Sequence, residues 1–300
     1  RPGAPFDILG LSPAPLLIVL GIFLGQAFFT WSNMRQRLDM PTLIDLRVLD
    51  SVKERAATFA LLIIGGLGPA VNFLIPLYIQ IVQGRSSLFT AVAVIPYSLA
   101  IFAGTAFIVR LFERYAPRTI GAAGFVVVAA GLTMLAFSIA NAWGTPLVIL
   151  SLIVLGLGEG ALLTLVFNVL VSASPKELAG DVGALRGTAN NLSTALGTAI
   201  IAALAVGILG ALVASSVANN PATPPALLSQ LDLENVNFIS NEQLDEALAG
   251  TTATPEQAAE AARINEEARL RALKACFLSL AGVALLAIYP ATGLPGYVAG

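Results

Sequence analysis

Apolar residues in this chain run in blocks of twenty or more, broken only by short polar stretches. That one feature narrows the fold more than any other. A hydrocarbon core about 30 Å thick is crossed by about 20 helical residues, and within it every backbone N–H and C=O must find a partner inside the structure. Blocks of this length therefore read as membrane-spanning helices. A water-soluble globule is excluded on the same ground. Only 11% of the residues are charged and 57% are hydrophobic, whereas a soluble domain carries roughly 25% charged residues.

The blocks predict seven spans: Pro13 to Trp31, Thr58 to Val82, Leu88 to Leu111, Thr119 to Ile139, Pro146 to Val171, about Arg186 to Ser216, and about Leu270 to Tyr289. Pro69, Pro76 and Pro96 fall inside the second and third spans and predict kinks, tolerated where neighbouring groups satisfy the freed carbonyls. Orientation follows from Lys and Arg in the short links. Arg35, Arg37, Arg47, Lys53 and Arg55 lie on one side, with Arg110, Arg114, Arg118, Lys176 and Arg186. The links on the other side hold little beyond Arg85. The basic side is expected to be cytoplasmic, which puts residue 1 outside. Arg269, Arg271 and Lys274 run against this assignment, but they follow a long loop, where the rule is weak.

That loop, about Val217 to Glu267, is acidic, with Asp232, Glu234, Glu242, Asp245, Glu246, Glu256, Glu260, Glu266 and Glu267 against Arg263 alone. Pro221 to Pro225 predicts an extended stretch, and Ser240 to Leu248 a short helix. A second helix is expected from Thr254, with Thr254 as N-cap, Pro255 at the first helical position and Glu256 and Gln257 in the first turn. It is expected to run on into the last span. The loop reads either as an external cap that attracts cations or as a solvated connector.

Chemistry is narrowed by what is missing. The chain has no histidine and one cysteine, Cys276. Ser-His-Asp and Cys-His catalysis, a disulfide within the chain and a multi-cysteine metal site are all excluded. No metal or cofactor is expected, and a net charge of −2 without a basic tract argues against nucleic acid as a partner. The chain opens on Arg1 without Met or signal-peptide features. It reads as a piece of a longer protein whose preceding part is absent.

Local patterns resemble a known family. Leu74 to Gln80, with Gly84, Ser87 and Ile95-Pro96, is similar to the start of the C-terminal half of fourteen-span drug:proton antiporters of the major facilitator superfamily. Leu155-Gly-Leu-Gly-Glu-Gly160 resembles the glycine-rich span of that half, and Gly183 to Ile200 its next span. The resemblance covers nearly the whole chain. It implies an all-α, polytopic membrane helix bundle: residues 1–57 as an extra span and cytoplasmic link, and residues 58–300 as a six-helix C-terminal bundle with its long external loop at about 217–267. Val109 to Arg118 resembles the superfamily's cytoplasmic G-x-L-a-D-R-x-G-x-R motif, with Arg114 and Arg118 matching. Val109, Glu113 and Ala116 replace Gly, Asp and Gly. Arg110, Glu113, Arg114 and Arg118 would then be a charge cluster that holds one conformation and breaks in another; plain anchoring on the cytoplasmic side is the alternative.

Glu159 is the most informative residue. It lies near the centre of an apolar span, flanked by Gly156, Gly158 and Gly160. A carboxylate at that depth costs at least ~2.5–3.5 kcal/mol, so it must face protein or water rather than lipid. Desolvation penalises its charged form, which suits a site that takes up and releases a proton. The structural alternative is a permanently protonated Glu bonded to a neighbouring helix. The glycines let helices approach closely. Asn72, Tyr78 and Gln80 in the second span and Asn190, Asn191 and Thr194 in the sixth are candidates for lining a substrate cavity, or for gluing helices by hydrogen bonds. Asn168 is half a turn from the Glu159 face, so the two are not expected to share a cavity.

Two classes of function follow. The first, implied by the resemblance, is a proton-coupled secondary transporter in the cell membrane, exporting drug-like or other small amphipathic molecules by alternating access. Its partners would be a small-molecule substrate, the proton, the lipid bilayer and the missing N-terminal half. An uptake permease for a metabolite is a variant of it. The second is a non-transporting membrane enzyme or scaffold. An enzyme would need a paired carboxylate or nucleophile cluster, and no span pairs Glu159 with a second carboxylate.

Overall fold

A computed structural model describes residues 13–38, 40, 42–43, 52–141, 146–173, 177, 179–218, 238–249 and 254–296. The extended stretch expected at Pro221 to Pro225, and Arg47 and Lys176, lie outside them. The described chain is helical throughout: α1 (Ala14–Arg37), α2 (Val52–Pro76) continuing as a π-helix (Leu77–Val82), α3 (Ser87–Ala93), α4 (Ile95–Phe112), α5 (Pro117–Ser138), α6 (Pro146–Ala173), α7 (Ala179–Ala218), α8 (Asn241–Ala249), α9 (Pro255–Leu286) and α10 (Ile288–Ala291). Seven helical stretches are long and apolar enough to cross a membrane, as the sequence predicts.

The prolines act in different ways. Pro69 is accommodated inside α2. After Pro76, which lacks an N–H to give, the helix widens into the π-turns of Leu77–Val82. Pro96 interrupts its span, as expected, and the break falls two residues before it at Val94, where helical backbone angles are kept. The proline sits in the first turn of α4, and the third span is two helices, α3 and α4, meeting at Val94.

α6 is the central helix of the bundle, packed against α4, α5 and α2; α2 in turn packs on α7, and α9 closes the far side against α5 and α7. Glycines permit these approaches. A Cβ on Gly160 would overlap the Ile101 carbonyl oxygen of α4, and one on Gly104 the Leu157 carbonyl of α6. Gly158 meets Val128 of α5, and Gly197 meets Gly66 of α2. Only α1 stands largely apart, with Leu16 to Leu24 exposed along its length.

α9 begins as its sequence dictates. The Thr254 hydroxyl accepts from the Gln257 N–H, and the Gln257 side chain accepts from the Thr254 N–H. At 32 residues the helix is about 48 Å long, well beyond a hydrocarbon core of about 30 Å. Its first turns therefore stand clear of the membrane, where Arg263 bonds Glu260 at 2.6 Å and Glu267 at 2.7 Å.

Candidate functional site

Three helices converge on one buried carboxyl. Glu159 lies midway along α6 and is 6% exposed. The spacing of 100° per residue turns Gly156 and Gly160 toward α4, Gly158 toward α5, and Glu159 toward α2. The Tyr97 hydroxyl of α4 donates to Glu159 Oε2. On the other side Gly68 of α2 leaves room for Glu159 Oε1, where any Cβ would collide with it. Tyr97 is 2% exposed, so the pair is closed off from lipid. A carboxyl held this way meets the requirement for a polar group at mid-depth: hydrogen-bonded and surrounded by protein.

Neither Tyr97 nor Gly68 stands out in the sequence as a partner for Glu159. Tyr97 is 62 residues away, and its only local mark is the preceding Pro96. None of the remaining candidates makes a hydrogen bond to the carboxyl among the described residues. Tyr78 is buried near the far end of α2, where its hydroxyl donates to the Ala140 carbonyl at 2.9 Å and Gln83 Nε2 reaches the same oxygen at 2.5 Å. Gln80, half-buried, accepts from the Ser87 hydroxyl at 3.4 Å. Asn72 is exposed on α2, and Asn190, Asn191 and Thr194 are exposed on α7. The two helices pack on each other, with Gly65 of α2 beside Ser193 and Asn190 of α7. Asn168 is exposed while Glu159 is buried, so the two occupy different faces of α6, as their spacing predicts.

The charged turn closes the opposite end of the bundle. α4 ends at Phe112, and the Arg114 N–H returns to the Leu111 carbonyl at 3.0 Å. α5 starts at Pro117, and the Arg118 N–H donates to the Pro295 carbonyl at 3.1 Å. Arg110, Glu113, Arg114 and Arg118 are all exposed. Among the described residues, none of these four side chains makes an ion pair in this conformation. The described residues hold no cluster of three or more potential metal-ligating side chains.

The family model of the Major Facilitator Superfamily matches residues 11–198 and, in a second placement, residues 70–297. The multidrug efflux pump LfrA of Mycolicibacterium smegmatis (strain ATCC 700084 / mc(2)155) is 30% identical over 190 residues, which take in 63% of this chain. The match spans 36% of that pump's length.

Proposed function

This chain belongs to the major facilitator superfamily, a family of multi-pass membrane transporters of small molecules, and from that membership we propose that it forms the C-terminal half of a proton-coupled exporter. Its substrates are drug-like or other small amphipathic molecules, moved across the cell membrane by alternating access. The observation that carries the reading is the protein-enclosed carboxyl of Glu159, bonded to Tyr97 where α2, α4 and α6 meet. In a chain without histidine, a carboxyl at mid-depth is the natural group to carry a proton. The exposed amides of Asn72, Asn190 and Asn191 fit the same reading. Polar groups at that depth face protein or water, not lipid, so the α2–α7 face is the one that meets a second bundle across a substrate path. The likeness to an efflux pump supports the export direction.

The test uses the complete protein in liposomes with an acidic lumen. A lipophilic cationic dye should accumulate inside, and a protonophore should release it. Accumulation indifferent to the protonophore would remove proton coupling, and no movement of cationic or neutral compounds would remove the exporter reading.

Within this reading the turn at Glu113 works as a conformational latch, its arginines finding partners in another state of the cycle. A charge-assisted hydrogen bond is worth about 1.5–3 kcal/mol, so losing it from one state shifts the balance of states by about tenfold or more. Arg114→Ala should therefore lower the transport rate about tenfold while leaving the amount of protein in the membrane unchanged. Equal rates in membrane vesicles would reduce the turn to an anchor.

A further inference from the structure

Arg269 is the largest fully buried side chain in the described structure, 2% exposed, and it is a charged one. Among the described residues no carboxylate forms an ion pair with it directly, and the nearest counter-charge, Glu266, is held one hydrogen bond away through Asn241. Its guanidinium instead joins three separate segments: Nη1 donates to the Ile239 carbonyl at 2.6 Å and to the Ile81 carbonyl at 3.2 Å, and Nη2 donates to Asn241 Oδ1 at 2.8 Å. Ile81 belongs to the π-helical end of α2, Ile239 and Asn241 to the loop and the start of α8, and Arg269 itself to α9. Asn241 passes the contact on, donating to Glu266 Oε1 at 2.5 Å. Asn265 holds the Ile239 carbonyl a second time at 3.4 Å. Phe238 and Leu248, both buried, seat the two ends of the segment.

A buried charge that does not touch its counter-ion directly is expensive unless its donors are aimed at acceptors. The planar fork of arginine reaches three acceptors at once, which a lysine ammonium on a single stem does not reproduce. The arrangement is still incomplete: Arg269 Nε has no acceptor among the described residues. The grip is also placed where α2 is least regular, because Leu77–Val82 winds as π-helix after Pro76, and π-turns within helices are frequent at functional sites.

We propose that residues 238–249 are a strap across this end of the bundle, that Arg269 latches the strap to the π-helical end of α2, and that the latch must release for this end to open. The proposal rests on the transporter reading for its purpose, but not for its test. It also accounts for Arg269 as an exception to the charge rule used for orientation, since this arginine is a buried fastener rather than a charge at the membrane surface.

Amide hydrogen exchange on the complete protein in lipid nanodiscs tests the latch without any transport measurement. Arg269→Gln should speed exchange in 238–249 about tenfold and also speed it across 77–83, while α5 keeps its protection. Asn241→Ala, which leaves the buried arginine in place, should shift both segments in the same direction and guards against a misfolded first variant. Unchanged exchange in 238–249 in both variants would overturn the latch. Faster exchange in 238–249 with 77–83 unmoved would overturn the hold on α2. A protein that fails to transport yet shows both shifts would retain the latch and lose only the exporter reading.

Discussion

Glu159→Gln should reduce gradient-driven accumulation to the level of protein-free vesicles, while substrate binding and exchange down a substrate gradient survive. Glutamine keeps the length of the side chain and an oxygen that still accepts from the Tyr97 hydroxyl. Its amide fills the space beside Gly68 without adding volume. What it removes is the proton: the site is fixed in a form resembling the protonated acid. The packing of α2, α4 and α6 should therefore be undisturbed, and the defect should appear in coupling alone. If Glu159 recognises a cationic substrate instead, the same variant should weaken cation binding and spare neutral compounds. Normal proton-driven accumulation of every substrate class in Glu159→Gln would remove both roles and leave a buried hydrogen-bonding residue.

Gly160→Val should destabilise the bundle by about 3 kcal/mol, because an added side chain has nowhere to go. A Cβ there meets the Ile101 carbonyl oxygen, a backbone atom that no rotamer change can move aside. α4 would be forced off α6, and Tyr97 with it, so the Glu159 contact should loosen together with the fold. Gly282→Ala is the matched control: nothing lies within 4 Å of its Cβ position, and alanine gains up to about 1 kcal/mol over glycine in a helix. Thermal unfolding in detergent should show a large fall for the first variant and no fall for the second. Equal melting temperatures would mean that α4 and α6 do not depend on this approach.

Much of the architecture was legible because it rests on local quantities. The length of an apolar block decides whether it spans, and a single polar residue inside such a block is conspicuous wherever its partners lie. Thr254, Pro255 and Gln257 announce the start of α9 within four consecutive residues, and the capping pair forms as they imply. Pro96 was legible as a disturbance but not as a boundary. The break falls at Val94, two residues before the proline, where the backbone keeps right-handed helical angles (φ −89°, ψ −4°), so the two helices run on within one span.

The candidate cavity residues show where local information stops. Tyr78, Gln80 and Asn72 are all polar residues of one apolar span, yet Tyr78 is spent on the Ala140 backbone and Asn72 is left exposed. Their fates depend on which neighbour each face of α2 meets, a matter of rotation rather than composition.

The sequence by itself determined the membrane as solvent, the number of crossings and the presence of one carboxyl at mid-depth, since each follows from the transfer cost of residues taken singly or in a run. Only the tertiary structure decided that this carboxyl takes its hydrogen bond from Tyr97 and lies against Gly68, while Asn190 of α7 sits beside Gly65, about one turn from Gly68 along α2. It likewise decided that Arg269 is a buried fastener. Those pairings join residues far apart in the chain. They depend on the rotation and crossing of helices, which is set by where glycine allows one backbone to touch another.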